Sequence, residues 1–553
     1  MKKRRKKIAA LGLAGIMTAG MLAGCGSTGN DEQQSQSAEN AQSTSQESAS
    51  SAESSEDVDE EPIEIEWLLY DCYAQPDPES EIVKNVEERF NVKFKFWFVD
   101  DQKWEEVLGA RLASGEMPDI MRIKNTSNIP LYVKQGILAP ITDEIKAKIP
   151  ETMKVLDQLD ADGTGFIDTY YEGQQYALKN PTVTGEYPTN LVWRKDWLTT
   201  LGLEMPSTIE ELETVLYAVR DNDPDGNGAK DTYGLSNTAL NAVFGAYGAI
   251  PMKEFRGTGA QSLFYTMKDG KIAFACIQPE MKEALTKLQE WYKEGFIDPE
   301  FVTGENTGGY WAVSQAFNND KLAVTGMIMG NHWIPAESES IAAGPCYTEF
   351  EALHPDMVWA ETVDMGPAIV GPDGKSGTHC WGVFSNSGYG ITTQCVNDPR
   401  KLEAVCTIME VMTTDNDLYR MCRDGIEGVD WEYDDEGMTQ GIGEWTPADN
   451  NKKGKQVFSN AGCNYEMLKA AYRPFLMDFF EKYKTTGYSD ILVPTTDAAN
   501  EYLTDLKTFT LDAYIKFITG EESIDKFDDF VEQFNSLGGR QIVDEINELV
   551  GFN

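Results

Sequence analysis

Between residues 63 and 99 a strand-length apolar run (IEIEWLLY, 63–70), a helix-period stretch around 79–90 and a second strand-length run (VKFKFWFV, 92–99) follow one another. Strands joined by helices in this way close into sheets with helices packed on their faces, so the folded part of the chain reads as α/β. The alternation continues to the C-terminus. Ile82, Val83, Val86 and Phe90 share one helical face, and the cleanest helix, 279–294, carries Met281, Ala284, Leu285, Leu288, Trp291 and Tyr292 as one apolar stripe. A further helix starts at Thr208, with Glu211 three residues on as a capping pair. Trp97 and Trp291 sit inside these regular patterns and read as core. No internal repeat of the ~20–50 residues that mark solenoids stands out.

The N-terminus says where such a body works. Lys2 to Lys7 form a basic cluster, followed by an apolar run from Ile8 to Met21 and then Leu22-Ala23-Gly24-Cys25. The run has the length and flanks of a secretion signal and is too short for a comfortable membrane span. Small residues before a Cys at its end resemble the bacterial lipobox, which implies a signal peptide over 1–24 and a lipidated Cys25. Residues 25–62 are rich in Ser, Gln and Glu and lack Lys and Arg. A stretch with so little apolar surface cannot offset its ordering entropy and is expected to be a disordered acidic tether. As a coil it reaches ~35 Å from the membrane. The expected location is therefore outside the cell, anchored to the outer face of the membrane.

The charge balance narrows the partners. With 47 Lys and Arg against 91 Asp and Glu, the net charge is −44, and without residues 1–24 it is −50. Phosphate recognition needs concentrated Lys and Arg, so nucleic acid is not expected as a partner. Three histidines, His332, His354 and His379, argue against a His-rich zinc centre. Eight cysteines follow Cys25, with no CxxC pair among them. Export permits disulfides, but most of these cysteines read as buried thiols acting as small apolar residues.

The order of several segments, LASGEMPDI (112–120), WRKDWLTTLGLEMPSTIEEL (193–212), DPDGNGAKDTYG (223–234), IQPEMKEALTKLQEWYKEGFIDPEF (277–301), GIEGVDWEY (425–433) and FVEQFNSLGGRQI (530–542), resembles extracellular solute-binding protein family 1, the sugar-binding lipoproteins of ABC importers. The long, Gram-positive branch is most similar, and alginate-type receptors are similar too. The resemblance implies a bilobed type II periplasmic-binding-protein fold, two α/β lobes joined by crossing hinge segments. By analogy residues 63–187 and 366–425 form lobe 1, and 188–365 and 426–553 form lobe 2, with crossings near Tyr187–Trp193, Gly366–Gly371 and Gly425. It also implies a monomer that captures an oligosaccharide and docks on ABC permease transmembrane subunits.

Sugars offer hydroxyls and apolar C–H faces, so their sites combine aromatic platforms with amides and carboxylates. The candidates lie where strands and crossings run out: Tyr70 and Asp71 after the first strand, Asn125 after PDI, and Tyr187, Asn190 and Trp193 on the first crossing. Asn331, His332 and Trp333 end the run KLAVTGMIMG; Trp381 follows the returning strand and Trp431 the last crossing. Trp333 leads this set as a platform, whereas Trp197 reads as lobe packing. Lys124, Lys179 and Arg194 are the cations near these positions, a modest supply that tilts the expected ligand towards neutral sugars.

Asp223, Asp225, Asn227, Ala229 (through its carbonyl) and Asp231 match the early ligand positions of an EF-hand loop, with Gly228 at its bend. A structural Ca²⁺ is expected there, although Gly234 stands where the usual bidentate Glu would be. The rival classes are an exported glycan-active hydrolase and a peptide-binding receptor of the same fold. No GxSxG or HExxH occurs, and among 91 acids a pair of carboxylates decides nothing, so no catalytic residue is expected.

Overall fold

The computed structural model describes residues 61–552 apart from 254–262, 303–314, 329, 336–342, 436 and 444–445. The signal sequence, Cys25 and nearly all of the tether lie outside the described residues.

The first lobe begins with strand β1 (Ile63–Leu68), helix α1 (Glu81–Phe90), β2 (Val92–Phe96) and β3 (Ile120–Ile123). α1 starts where the Ser80 hydroxyl accepts the Val83 N–H and stops at Asn91, which takes a left-handed conformation with φ 49°. β2 alternates buried Val92, Phe94 and Phe96 with exposed Lys93 and Lys95, the pattern of a protected edge strand. β4 (Leu178–Pro181) completes the outward run. The chain then passes to β5 (Asn190–Arg194), α2 (Ile209–Asn222), α3 (Pro279–Lys293), β6 (Val324–Ile328) and β7 (Val363–Gly366). It returns through β8 (Thr378–Cys380) to β9 (Phe384–Ile391) and α4 (Pro399–Thr414). Helix α5 (Pro474–Lys482), β10 (Gly487–Ser489) and the long α6 (Asp497–Thr519) follow.

Two sheets result. The first runs β2-β1-β3-β9-β4, and the returning β9 lies antiparallel to both neighbours. The second runs β6-β5-β7, antiparallel throughout. Each sheet has its own core. One cluster draws on residues between Ile65 and Val183 and between Phe384 and Tyr465. Another draws mainly on Leu191 to Phe301 and Ile491 to Val550. A small third cluster covers the opposite face of the second sheet. β5 shows why: Leu191 and Trp193 point into the large cluster and Val192 into the small one, as strand alternation requires.

The cores place the lobe boundaries differently from the sequence in two respects. Val457, Phe458, Ala461 and Tyr465 pack in the first-lobe core, whereas 426–553 were expected in the second lobe. Gly425 is a helix stop with φ 98°, and Asp430 folds back to accept the Ile426 N–H, so the chain turns there and stays in its lobe. The third crossing comes later, through α5 and β10. Ile369, expected in lobe 1, packs in the second-lobe core. All eight described cysteines are buried thiols, and burial pushes Cys406 and Cys463 up to about 12.

Candidate functional site

Three stretches of chain connect the two cores: 182–189, 367–383 and 466–490. They are laced together by backbone and hydroxyl groups. Thr182 N–H donates to Val383 O at 2.7 Å and Thr189 N–H to His379 O at 2.7 Å. The Thr378 hydroxyl donates to Thr189 O at 2.6 Å, and β8 pairs in parallel with β10. Gly185 lies so close to the second crossing that a Cβ there would stand 2.0 Å from Gly382 O. At Gly185 the absence of a side chain is thus a packing requirement.

These crossings wall a cavity of about 270 Å³. The first lobe contributes Asp160, Asp162 and Thr164; the crossings contribute Gly185, Glu186, Trp381, Ser489 and Asp490. A neighbouring cavity of about 380 Å³ is lined by Ser127 of the first lobe, by Leu263 and Tyr265 of the second, and by Thr504 and Lys507 of α6. Asp490 and Leu492 border both. The Thr495 N–H donates to Ser127 O at 2.9 Å and ties the lobes beside the larger space.

The chemistry is polar with an aromatic wall. Trp381 meets His379 edge-on at 4.4 Å and carries the Lys253 ammonium 4.9 Å from its ring centre. Burial, with Lys253 adding to it, drives His379 down to about 3, so this imidazole is neutral. Asp160 accepts the Gly165 N–H at 2.7 Å, yet burial still raises its carboxyl above the usual range. Burial lifts Asp490 to about 7, against the pull of the Tyr265 N–H, Lys253 and Lys507. Such a wall can accept hydrogen bonds from hydroxyls and offer a flat apolar surface.

The residues singled out from sequence fall into three groups. Trp381 lines the cavity. Others brace it. Tyr187 stacks on Phe480 at 4.7 Å and donates to Glu481 at 2.7 Å, and Asn190 donates to Tyr483 O at 2.8 Å. Asn125 caps the turn that presents Ser127, whose N–H it accepts at 3.2 Å. Outside these groups, Asp71 pairs with Arg122 and Asn331 is half-buried, and neither lines either cavity. The third group is core. Tyr70 is closed to solvent and donates to Trp97 O at 2.6 Å. Trp193 packs in the second-lobe core, and Trp333 has no exposed surface, lying among Phe317, Phe350 and Trp359. His332 is buried beside it, which lowers its pKa. Trp431 is buried in a hairpin and donates to Gly425 O at 2.9 Å. Trp333 is thus corrected from ligand platform, and Tyr70 from ligand contact, to core: the run that carries each continues into the packed interior instead of emerging at the strand end. Trp97, Trp197 and Trp291 are buried as expected.

The cations expected near the ligand are also spoken for. Lys124 pairs with Asp101, Lys179 with Asp168, and Arg194 with Asp196 and Asp320. Their place is taken by Lys507, which lines the larger cavity, and Lys253, over Trp381, both beside Asp490. Nothing local marks them in the sequence, because three distant segments bring them together.

The loop after α2 is built as a tight turn, with Asp223, Gly226 and Gly228 at positive φ. Asp223 accepts the Gly228 N–H at 2.9 Å. The Asn227 amide bridges Asp225 at 2.6 Å and Asp231 at 3.1 Å. Two carboxylate oxygens, one from Asp225 and one from Asp231, thus meet at one side-chain nitrogen, the place a hard cation would take if the Asn227 amide turned its oxygen inward. Among the described residues no three His, Cys, Asp or Glu side chains are already gathered tightly enough to hold a metal.

Two α/β cores, three laced crossings and a polar, aromatic-walled cavity between them define a bilobed solute-binding protein. The family model for bacterial extracellular solute-binding proteins matches residues 75–345. Lipoprotein LipO of Bacillus subtilis (strain 168) is 25% identical over 501 residues, covering 86% of this chain and 89% of that one. The polygalacturonan/rhamnogalacturonan-binding protein YtcQ of the same organism is 24% identical over 507 residues, covering 88% and 91%. Among solved structures, an HMO-binding, ABC-transporter-associated solute-binding protein from Bifidobacterium longum infantis superimposes with a TM-score of 0.54 at 15% identity, covering 88% of this chain and 98% of that one. The fold is that of the solute-binding proteins.

Proposed function

We propose that the chain is the receptor subunit of an ABC importer, closing its lobes on an oligosaccharide and releasing it unaltered to a membrane permease. The observation that carries this reading is the pair of adjoining cavities, where Trp381 stands among carboxylates and hydroxyls of the first lobe and the crossings, and Asp490 borders the second space, lined by Tyr265 and Lys507 of the second lobe. Hinge closure over such a wall buries a sugar's apolar face and satisfies its hydroxyls at once. The relative named for polygalacturonan and rhamnogalacturonan supports a plant-type glycan as the first ligand to try.

The basic cluster, apolar run and Cys25 support export and attachment by a lipid. Among the described residues no helix is long and apolar enough to cross a membrane. The donor set of Asp223, Asp225, Asn227, Ala229 and Asp231 supports a structural Ca²⁺ that would fasten the end of α2 to the strand-like segment after it. The test is a thermal-shift and product analysis with oligogalacturonides, kestose and short peptides. A raised Tm with intact sugar is expected. New sugar products, or a shift with peptides alone, would overturn the reading.

A further inference from the structure

Asp490 sits at the end of the third crossing and borders both cavities. The Tyr265 N–H binds its carboxylate, but Oδ1 is closed to solvent and has no hydrogen-bond partner among the described residues. A buried carboxylate oxygen without a donor is costly, and an apolar side chain of the same size would avoid the cost. The charged and titratable groups around it come from every wall. Lys253 stands over Trp381, Lys507 projects from α6, and Tyr265 adjoins; Asp160, Asp162 and Glu186 face the smaller cavity. Two ammonium groups beside one carboxylate keep a negative acceptor available in a space that otherwise gathers acids.

We propose that Asp490 is a ligand-contacting, specificity-determining residue whose Oδ1 accepts a hydrogen bond from a ligand hydroxyl while the ring bearing that hydroxyl lies against Trp381. The inference rests on the cavity being the sugar site. It identifies the ligand class more narrowly: a glycan presenting a free hydroxyl on the ring next to its stacked face. A carboxylate binds a hydroxyl more strongly than its protonated form does, and burial lifts this group to about 7. Affinity therefore weakens as the pH falls from 8 to 6.

The same carboxylate works against the empty protein. Its folded-state pKa lies above the ordinary carboxylate range near 4, so folding takes up a proton between about pH 4 and 7. Stability of the sugar-free form falls as pH rises through that window, and Asp490→Asn removes the loss.

The experiment is calorimetry of wild type, Asp490→Asn and Asp490→Ala with oligogalacturonides and with kestose at pH 6 and 8, beside sugar-free melting curves. Expected are wild-type binding that weakens at pH 6 and a loss of about ten- to a hundredfold in both variants at pH 8. Asp490→Asn should bind with no pH dependence, and its sugar-free Tm at pH 8 should equal or exceed that of wild type. Undiminished affinity in both variants, or affinity lost together with a lowered Tm, overturns the assignment. Wild type binding neither sugar overturns the receptor reading and this inference with it.

Discussion

Lys179 Nζ lies 2.6 Å from Asp168 Oδ1, and both side chains are closed to solvent. The Thr126 hydroxyl donates to the other carboxylate oxygen, so β4, the turn after β3 and the 167–169 turn meet at one buried charge pair. Burial lowers the Lys179 pKa against the pull of Asp168, which shows how far this pair is from water. Breaking such a pair from one side leaves an uncompensated charge. Lys179→Met is expected to cost about 3–5 kcal/mol. Urea unfolding checks it, and a loss below about 1 kcal/mol, the worth of an exposed pair, would contradict the closed geometry. Adding Asp168→Leu should restore much of the loss, because an apolar pair needs no partner charge.

Trp333 and Trp381 should separate cleanly. Trp333 is enclosed by Phe317, Phe350 and Trp359, so Trp333→Ala leaves a cavity and is expected to cost about 3–5 kcal/mol of stability. Trp381 lines the interlobe space, and Trp381→Ala is expected to cost about 2 kcal/mol or more of sugar binding with a smaller change in Tm. Paired calorimetry and thermal unfolding decide between them. Lost affinity in a fully stable Trp333 variant would return that residue to the site.

That contrast shows what the sequence makes legible. Period and capping gave the elements closely: α1, α3 and the start of α2 at Thr208, whose hydroxyl accepts the Glu211 N–H at 3.2 Å, follow from residues a few positions apart. Core tryptophans inside regular stripes, Trp97 and Trp291, were equally readable. Strand ends were not. Tyr70 and Trp333 follow apolar runs just as cleft residues would, and only packing from remote segments shows that the interior continues past them. The same holds for Gly425, where a turn and a crossing look alike in sequence. Lys253, Asp490 and Lys507 adjoin through chain separations that no local pattern encodes.

The meeting of the first two crossings gives a test of the hinge. Gly185 borders the cavity, and any Cβ there would collide with Gly382 O. The obstacle is backbone, which cannot rotate aside, so Gly185→Ala must push the crossings apart. A stability loss of about 1–3 kcal/mol is expected from such overpacking, with weaker sugar binding because the cavity wall moves. Unchanged Tm together with full affinity would mean that the crossings are not in contact in solution.

The loop after α2 offers the last test, and its logic is electrostatic. The Asn227 amide donates to Asp225 and Asp231, and Asp223 accepts the Gly228 N–H. An amide hydrogen supplies only partial charge, whereas Ca²⁺ supplies a full divalent charge to six to eight oxygens. With the bidentate twelfth ligand absent at Gly234, affinity should be modest. At millimolar CaCl₂ the Tm is expected to rise, and EDTA should reverse it, because a ligand that binds only the folded state stabilises it by mass action. Asp231→Asn should keep the fold and abolish the Ca²⁺ response, while sugar affinity measured with excess EDTA stays at the wild-type value, since this loop does not line the interlobe cavities. A wild-type Tm indifferent to CaCl₂ would leave the turn as a hydrogen-bonded cap on α2, held by Asn227 alone.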